Sequence, residues 1–183
     1  MHAFDGEMKL QYYSTPEALI EGYFPFRLEG YYRRKERQLA FLAGEELKLR
    51  NQSKFVSEIY SGNIALTSAG RPVSTDDMNQ TLRARGFASQ KEIDGIIAKY
   101  LPISRSGASA SDVDDYAYLL SLPIRSLTLE RAQALQNRAA QTQLELESLR
   151  ALTPEEMWLG ELQTLHEKLL QYDPSFQLQE VSE

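Results

Sequence analysis

The sequence predicts a mainly α protein: a long antiparallel two-helix coiled-coil arm carrying a small, mostly helical globular head with a short β element. Three observations carry that prediction. Thr128, Ala132, Leu135, Ala139, Thr142, Leu146 and Leu149 recur at alternating spacings of four and three, which keeps one stripe along one side of an α-helix. A second stripe with the same alternation runs through Leu28, Tyr32, Lys35, Leu39, Leu42, Glu46, Leu49, Ser53 and Val56. The stretch between them, 61–127, carries turn and cap signals of its own. Both stripes are thin, with Ala, Thr, Glu and Ser where Leu would be stronger, so neither suits a free-standing zipper. Each needs a close partner, and the other helix is the partner of matching length. Roughly 25 residues per arm at ~1.5 Å rise make a rod of about 38 Å.

The elements follow in order. Residues 1–27 are a base segment. Asp5-Gly6 offers a turn, and alternating Met8, Leu10 and Tyr12 a strand, so a hairpin is expected. Thr15 caps a helix with Pro16 at its first position, where the missing N–H costs nothing. Pro25 is expected to kink or interrupt that helix near Phe24. The first arm helix spans 28–60 and ends at Ser61-Gly62. In the head, 61–127, Asn63 to Thr67 alternates like a strand and Ser68 to Pro72 reads as a turn. Thr75 to Arg85 is a helix closed by Gly86, and Ser89 with Glu92 forms a capping box for a helix reaching Tyr100. Ser104 to Ser111 reads as a mobile loop. The second arm helix, 128–152, has Thr128 as N-cap and Glu130 in its first turn. Thr153 and Glu156 box a return helix within 153–183, with Pro154 at its first position. Met157, Trp158, Leu162, Leu165 and Leu169 form its expected buried face, and a polar tail follows Asp173-Pro174.

Composition narrows the chemistry. The 183 residues carry a net charge of −6, whereas a free-standing nucleic-acid binder is usually basic. With no cysteine, disulfides, thiol catalysis and cysteine-bound zinc are excluded. His2 and His166 stand far apart, which leaves no histidine metal site. No apolar run approaches the ~20 residues of a membrane span, and no signal-peptide pattern opens the chain. The chain reads as an intracellular soluble domain or fragment.

Several ordered pieces resemble one family. Phe4-Asp5, then Arg27-Leu28 with Tyr31-Tyr32 and Arg34-Lys35, then Phe55, are similar to a segment of eukaryotic-type DNA topoisomerase II. So are Tyr118-Leu119-Leu120, Leu122-Pro123-Ile124, Leu127-Thr128 and Glu130, closing on Trp158 and Leu162. The resemblance covers nearly the whole chain and implies the C-terminal part of the DNA breakage-reunion core. There a coiled-coil arm carries a head, and two heads meet as an exit gate. Two departures stand out: Arg125 follows the Pro-apolar pair where relatives often have an aromatic, and Pro25 falls where they continue a helix. The 104–111 loop is also short. The resemblance implies ATP and Mg²⁺ for the whole enzyme, a nuclear location, a homodimer through the head, and DNA passing transiently through a cavity.

The family's nucleophile is a tyrosine preceded by arginine, and none of the ten tyrosines here follows an arginine. Tyr12, Tyr13, Tyr31 and Tyr32 read as packing residues. Asp112-Val113-Asp114 spells the family's acidic element but follows a Ser/Gly/Ala loop with no identifiable partner glutamate. There is no phosphate-binding glycine loop. No catalytic or metal residue and no cofactor is therefore expected in this chain.

Two sets of residues remain, each with two readings. Tyr31 to Arg37 is the basic cluster. It is either a solvated helix face paired with Glu29 and Glu36, or Arg33, Arg34 and Arg37 line a DNA cavity and attract phosphates. The aliphatic residues Ile64, Leu66, Leu119, Leu120, Leu122, Ile124 and Leu127, with Pro123, are either head core or a dimer contact. At the level of function the alternative to the gate is a helical-hairpin adaptor with no DNA role. An autonomous enzyme lacks any converging set of catalytic side chains.

Overall fold

The computed structural model describes residues 1–68, 70–99, 115–123 and 127–173. In chain order these form β1 (His2–Phe4), β2 (Leu10–Tyr12), α1 (Pro16–Tyr60), β3 (Thr67–Ser68), β4 (Arg71–Pro72), α2 (Thr75–Ala84), α3 (Gln90–Ala98), α4 (Ala117–Leu120), α5 (Leu129–Ala151) and α6 (Pro154–Tyr172). The mainly helical class holds. Two compact units divide the chain, one from Met1–Lys35 and Ala151–Glu183, the other from Glu36–Arg150. The expected loop at 104–111, Asp112 and Asp114, Ile124 and the tail from Pro174 lie outside the described residues.

In the first unit β1 and β2 pair antiparallel, with Phe4 opposite Leu10 and His2 opposite Tyr12. The turn is wider than a two-residue Asp-Gly hairpin. Asp5 Oδ1 accepts from the backbone N–H of Glu7 at 2.9 Å and of Lys9 at 2.8 Å, and Met8 takes φ +63° inside the loop instead of joining the strand. Gly6 is required by close approach, because a Cβ there would fall 2.4 Å from the Phe26 ring. The break expected at Pro25 does not occur, and α1 runs through it. Proline costs the helix one N–H bond and crowds the preceding turn. Here Trp158 of α6 stacks on Phe24 (5.0 Å between centroids) and on Tyr31 (5.6 Å), clamping the helix on both sides of Pro25. The base also extends past residue 27. Tyr31 donates to Glu161 at 2.6 Å, Tyr32 to Glu155 at 3.0 Å, and Lys35 Nζ to the Leu152 carbonyl. The buried residue here is Tyr31, while Tyr32 of the expected stripe is exposed. Thr153 and Glu156 form the capping box of α6 with Pro154 in its first turn. The expected buried face of α6 is corrected, since Leu162 and Leu165 are exposed and only Met157, Trp158 and Leu169 of that face are partly covered.

The second unit contains the paired helices and the head. Ser53 Oγ donates to the Ala132 carbonyl at 2.9 Å, and Arg138 pairs with Glu45 at 3.1 Å. The later α1 residue meets the earlier α5 residue, so the pairing is antiparallel. The α5 stripe is buried at Ala132, Leu135, Ala139, Thr142 and Leu146, and its first three residues cluster with Leu49 and Val56 of α1. Alanines make this seam thin enough for a backbone carbonyl to reach a serine hydroxyl. Thr128 stands outside the stripe and instead accepts from the Arg131 N–H as the cap. Adjacent residues diverge by ~100° on a helix. Val56 accordingly enters the seam while Phe55 enters the head core with Ile64, Met78, Leu82, Phe87, Ile93, Tyr116, Tyr118 and Leu119.

Gly62, at φ +74°, ends α1. The N–H groups of Asn63 and Ile64 then both donate to the Glu58 carbonyl, so the strand expected from Asn63 starts only at Thr67. It pairs with Arg71–Pro72, residues read from sequence as turn. Ser89 and Glu92 form their capping box.

Candidate functional site

Two tyrosines build the end of the head. Tyr118 donates to the Ala88 carbonyl at 2.7 Å and Tyr116 to the Phe87 carbonyl at 3.3 Å. Burial pushes the Tyr118 hydroxyl well above the ordinary tyrosine range, helped by Tyr116 and Glu92, so it stays a neutral donor. These bonds pin α4, whose Leu119 is fully buried. The Leu122 N–H donates to the Leu119 carbonyl at 3.2 Å and continues the turn.

The proposed contact residues divide accordingly. Ile64 and Leu119 are head core. Their apolar surface is buried inside the head, the first of the two readings given for them. Leu66 and Leu120 are partly buried against the same core. Leu122 and Leu127 are partly buried and touch both the head core and the helix seam. Pro123 is exposed, and Ile124 lies outside the described residues. The remaining aliphatic rim is Leu66, Leu120, Leu122, Pro123 and Leu127.

The basic cluster divides too. Arg33 pairs with Glu29. Arg34 pairs with Glu161 at 2.7 Å, not with Glu36, and lies 5.6 Å over the Tyr31 ring. Arg37, in the second unit, has no ion pair among the described residues. Tyr31, the arginine over it and Trp158 make a stacked joint whose hydroxyl ends on Glu161. The Tyr31 hydrogen bond, with Arg34 behind it, holds the Glu161 carboxyl below the usual range. Burial first, then Glu161, pushes the Tyr31 hydroxyl up. Arg34 is thereby committed to structure, and Arg33 and Arg37 are the guanidinium groups left facing solvent. The sequence analysis missed this joint. Its signal was present in Phe24, Arg27, Tyr31 and Arg34, which fall on one helical stripe and share a face.

The family of DNA gyrase/topoisomerase IV A-subunits matches residues 1–163, and the chain belongs to this family of type II topoisomerases. It is 28% identical over 189 residues to DNA topoisomerase 2 of Arabidopsis thaliana, covering 94% of this chain and 13% of that protein. To DNA topoisomerase 2 of Plasmodium falciparum it is 29% identical, covering 92% and 13%, and to DNA topoisomerase 2-alpha of Gallus gallus 29% identical, covering 92% and 11%. The crystal structure of the Plasmodium falciparum topoisomerase II DNA-binding, cleavage and re-ligation domain superposes with a TM-score of 0.74 at 30% identity, over 92% of this chain and 23% of that one. The chain thus spans a small part of the length of these relatives. Family membership leaves the adaptor reading without support.

Proposed function

We propose that this chain is the exit-gate portion of a type II DNA topoisomerase. Two heads hold the enzyme's halves together and part to release the transported duplex after ATP-dependent strand passage. The observation that carries the reading is the incompletely buried aliphatic rim of the head, joined to an antiparallel helix pair. A two-fold contact presents the same patch from both copies. A gate that must reopen favours a modest interface over the large obligate class. Arg33 and Arg37 would meet phosphates of the passing DNA without reading sequence. The cleaving tyrosine, the Mg²⁺ and the ATP belong to other parts of the longer enzyme, since no Arg-Tyr pair and no phosphate loop occur in this sequence. A nuclear site of action follows the topoisomerase 2 relatives.

Sedimentation across concentration tests the gate. The wild-type chain should dimerise reversibly. Leu120→Asp should shift it to monomer, because two unpaired carboxylates would be buried at one contact. Pro123→Glu, at an exposed position, should weaken the dimer as well. A wild-type monomer, or a folded pair of variants dimerising as tightly as wild type, overturns the proposal.

A further inference from the structure

Away from the rim, α1 presents Arg37, Phe41, Gly44 and Lys48 at helical spacing on one face, within the second unit. At Gly44 the end of α3 comes close, and a Cβ there would lie 2.9 Å from Ile97 Cδ1. Phe41 nevertheless stays 57% exposed. With Ile97 it forms a ridge shared by two hollows. The larger, about 650 Å³, is lined by Arg37, Gln38, Phe41, Leu42, Ile97 and Leu149. The smaller, about 350 Å³, includes Gly44, Glu45, Lys48 and Arg138. Glu45 is paired with Arg138, while Asp94 accepts from the neutral Gln90 amide at 2.7 Å and keeps its charge. Arg37 and Lys48, one on each side of Phe41, have no ion pair among the described residues. These two cations outweigh the single Asp94 carboxylate, so the balance at the ridge is positive in a chain whose net charge is −6.

We infer that this ridge is a docking site for an acidic protein segment with an apolar anchor. The anchor packs beside Phe41 in the larger hollow, and flanking carboxylates reach Arg37 and Lys48. An exposed aromatic beside an apolar hollow is the kind of centre that dominates protein contacts, and a helical segment laid in a groove is a common way to use one. A phosphate backbone could meet the two cations but has nothing to place in the hollow, so the combination favours a protein over DNA. The site is separate from the gate rim and does not depend on it; it claims Arg37 from the DNA-lining reading and leaves Arg33 to that role.

The test is selection of a random 16-residue peptide library displayed on phage against the full chain, followed by anisotropy measurements on the selected peptide. The expected consensus is one or two apolar anchors flanked by Asp or Glu. Phe41→Ala, at a solvent-facing position, should weaken binding at least about tenfold with the circular dichroism spectrum unchanged. Arg37→Glu with Lys48→Glu should reverse the salt dependence. No enriched consensus, a basic one, or binding indifferent to Phe41→Ala overturns the inference. So does competition by duplex DNA that ignores Phe41→Ala, which would give the cations to nucleic acid. Loss of chain dimerisation in Phe41→Ala would give the ridge to a second copy and overturn it equally.

Discussion

The two units use the same kind of sequence and finish differently. Among the described residues, every buried hydrophobic side chain except Tyr31 and Pro154 lies in the unit Glu36–Arg150. Every exposed large hydrophobic except Phe41, Tyr60, Leu129 and Leu144 lies in the other unit. The second unit closes two cores around α1, one with the head and one with α5. The first holds its helices by one aromatic joint and a few charged bonds, and leaves β2 and the far side of α6 apolar and open. An amphipathic stripe therefore fixes that a helix forms, while burial depends on whether another element is present to cover it.

The largest test of this contrast is Phe55→Ala. The ring sits in the head core, edge-on to Phe87 at 6.3 Å. Its removal should cost about 3–5 kcal/mol, measured as loss of thermal stability by circular dichroism. A loss under about 1 kcal/mol would mean the head core is not closed.

A smaller effect is expected from acid in the first unit. The folded carboxyl of Glu161 titrates below its ordinary value. Its stabilising contribution is therefore present above the unfolded value of about 4.3 and is lost as pH falls through the lower folded value. The only tryptophan is Trp158, stacked on Tyr31 beside Glu161, so its fluorescence reports this joint. Glu161→Gln should flatten the acid limb of that signal. An acid transition unchanged in the variant would assign the pH sensitivity to other carboxylates.

The smallest effect belongs to Leu165→Ala. At 52% exposure it should change stability by no more than about 0.5 kcal/mol in this chain, as judged by urea unfolding followed at Trp158. A core-sized loss would show that α6 has a covered face after all.

Some of this molecule was settled by the order of its residues alone. Alternating four-three spacing is a property of one helix, so the α5 stripe was readable, as were the capping boxes at Ser89–Glu92 and Thr153–Glu156 and the helix end at Gly62. Each depends on groups a few residues apart. The family could be read as well, because ordered short pieces survive as sequence. Tertiary structure decided what depends on distant groups. Pro25 stays helical because Trp158 clamps Phe24 and Tyr31 across it. Tyr31 and not Tyr32 is buried because that is the ring Trp158 stacks on. Ile64 and Leu119 went to the core and Leu66, Leu120, Leu122 and Leu127 to its rim, a division that composition could not make among aliphatic residues of similar hydrophobicity. A side chain's preference for leaving water is written in its chemistry, but whether it can leave depends on what the rest of the fold brings to it.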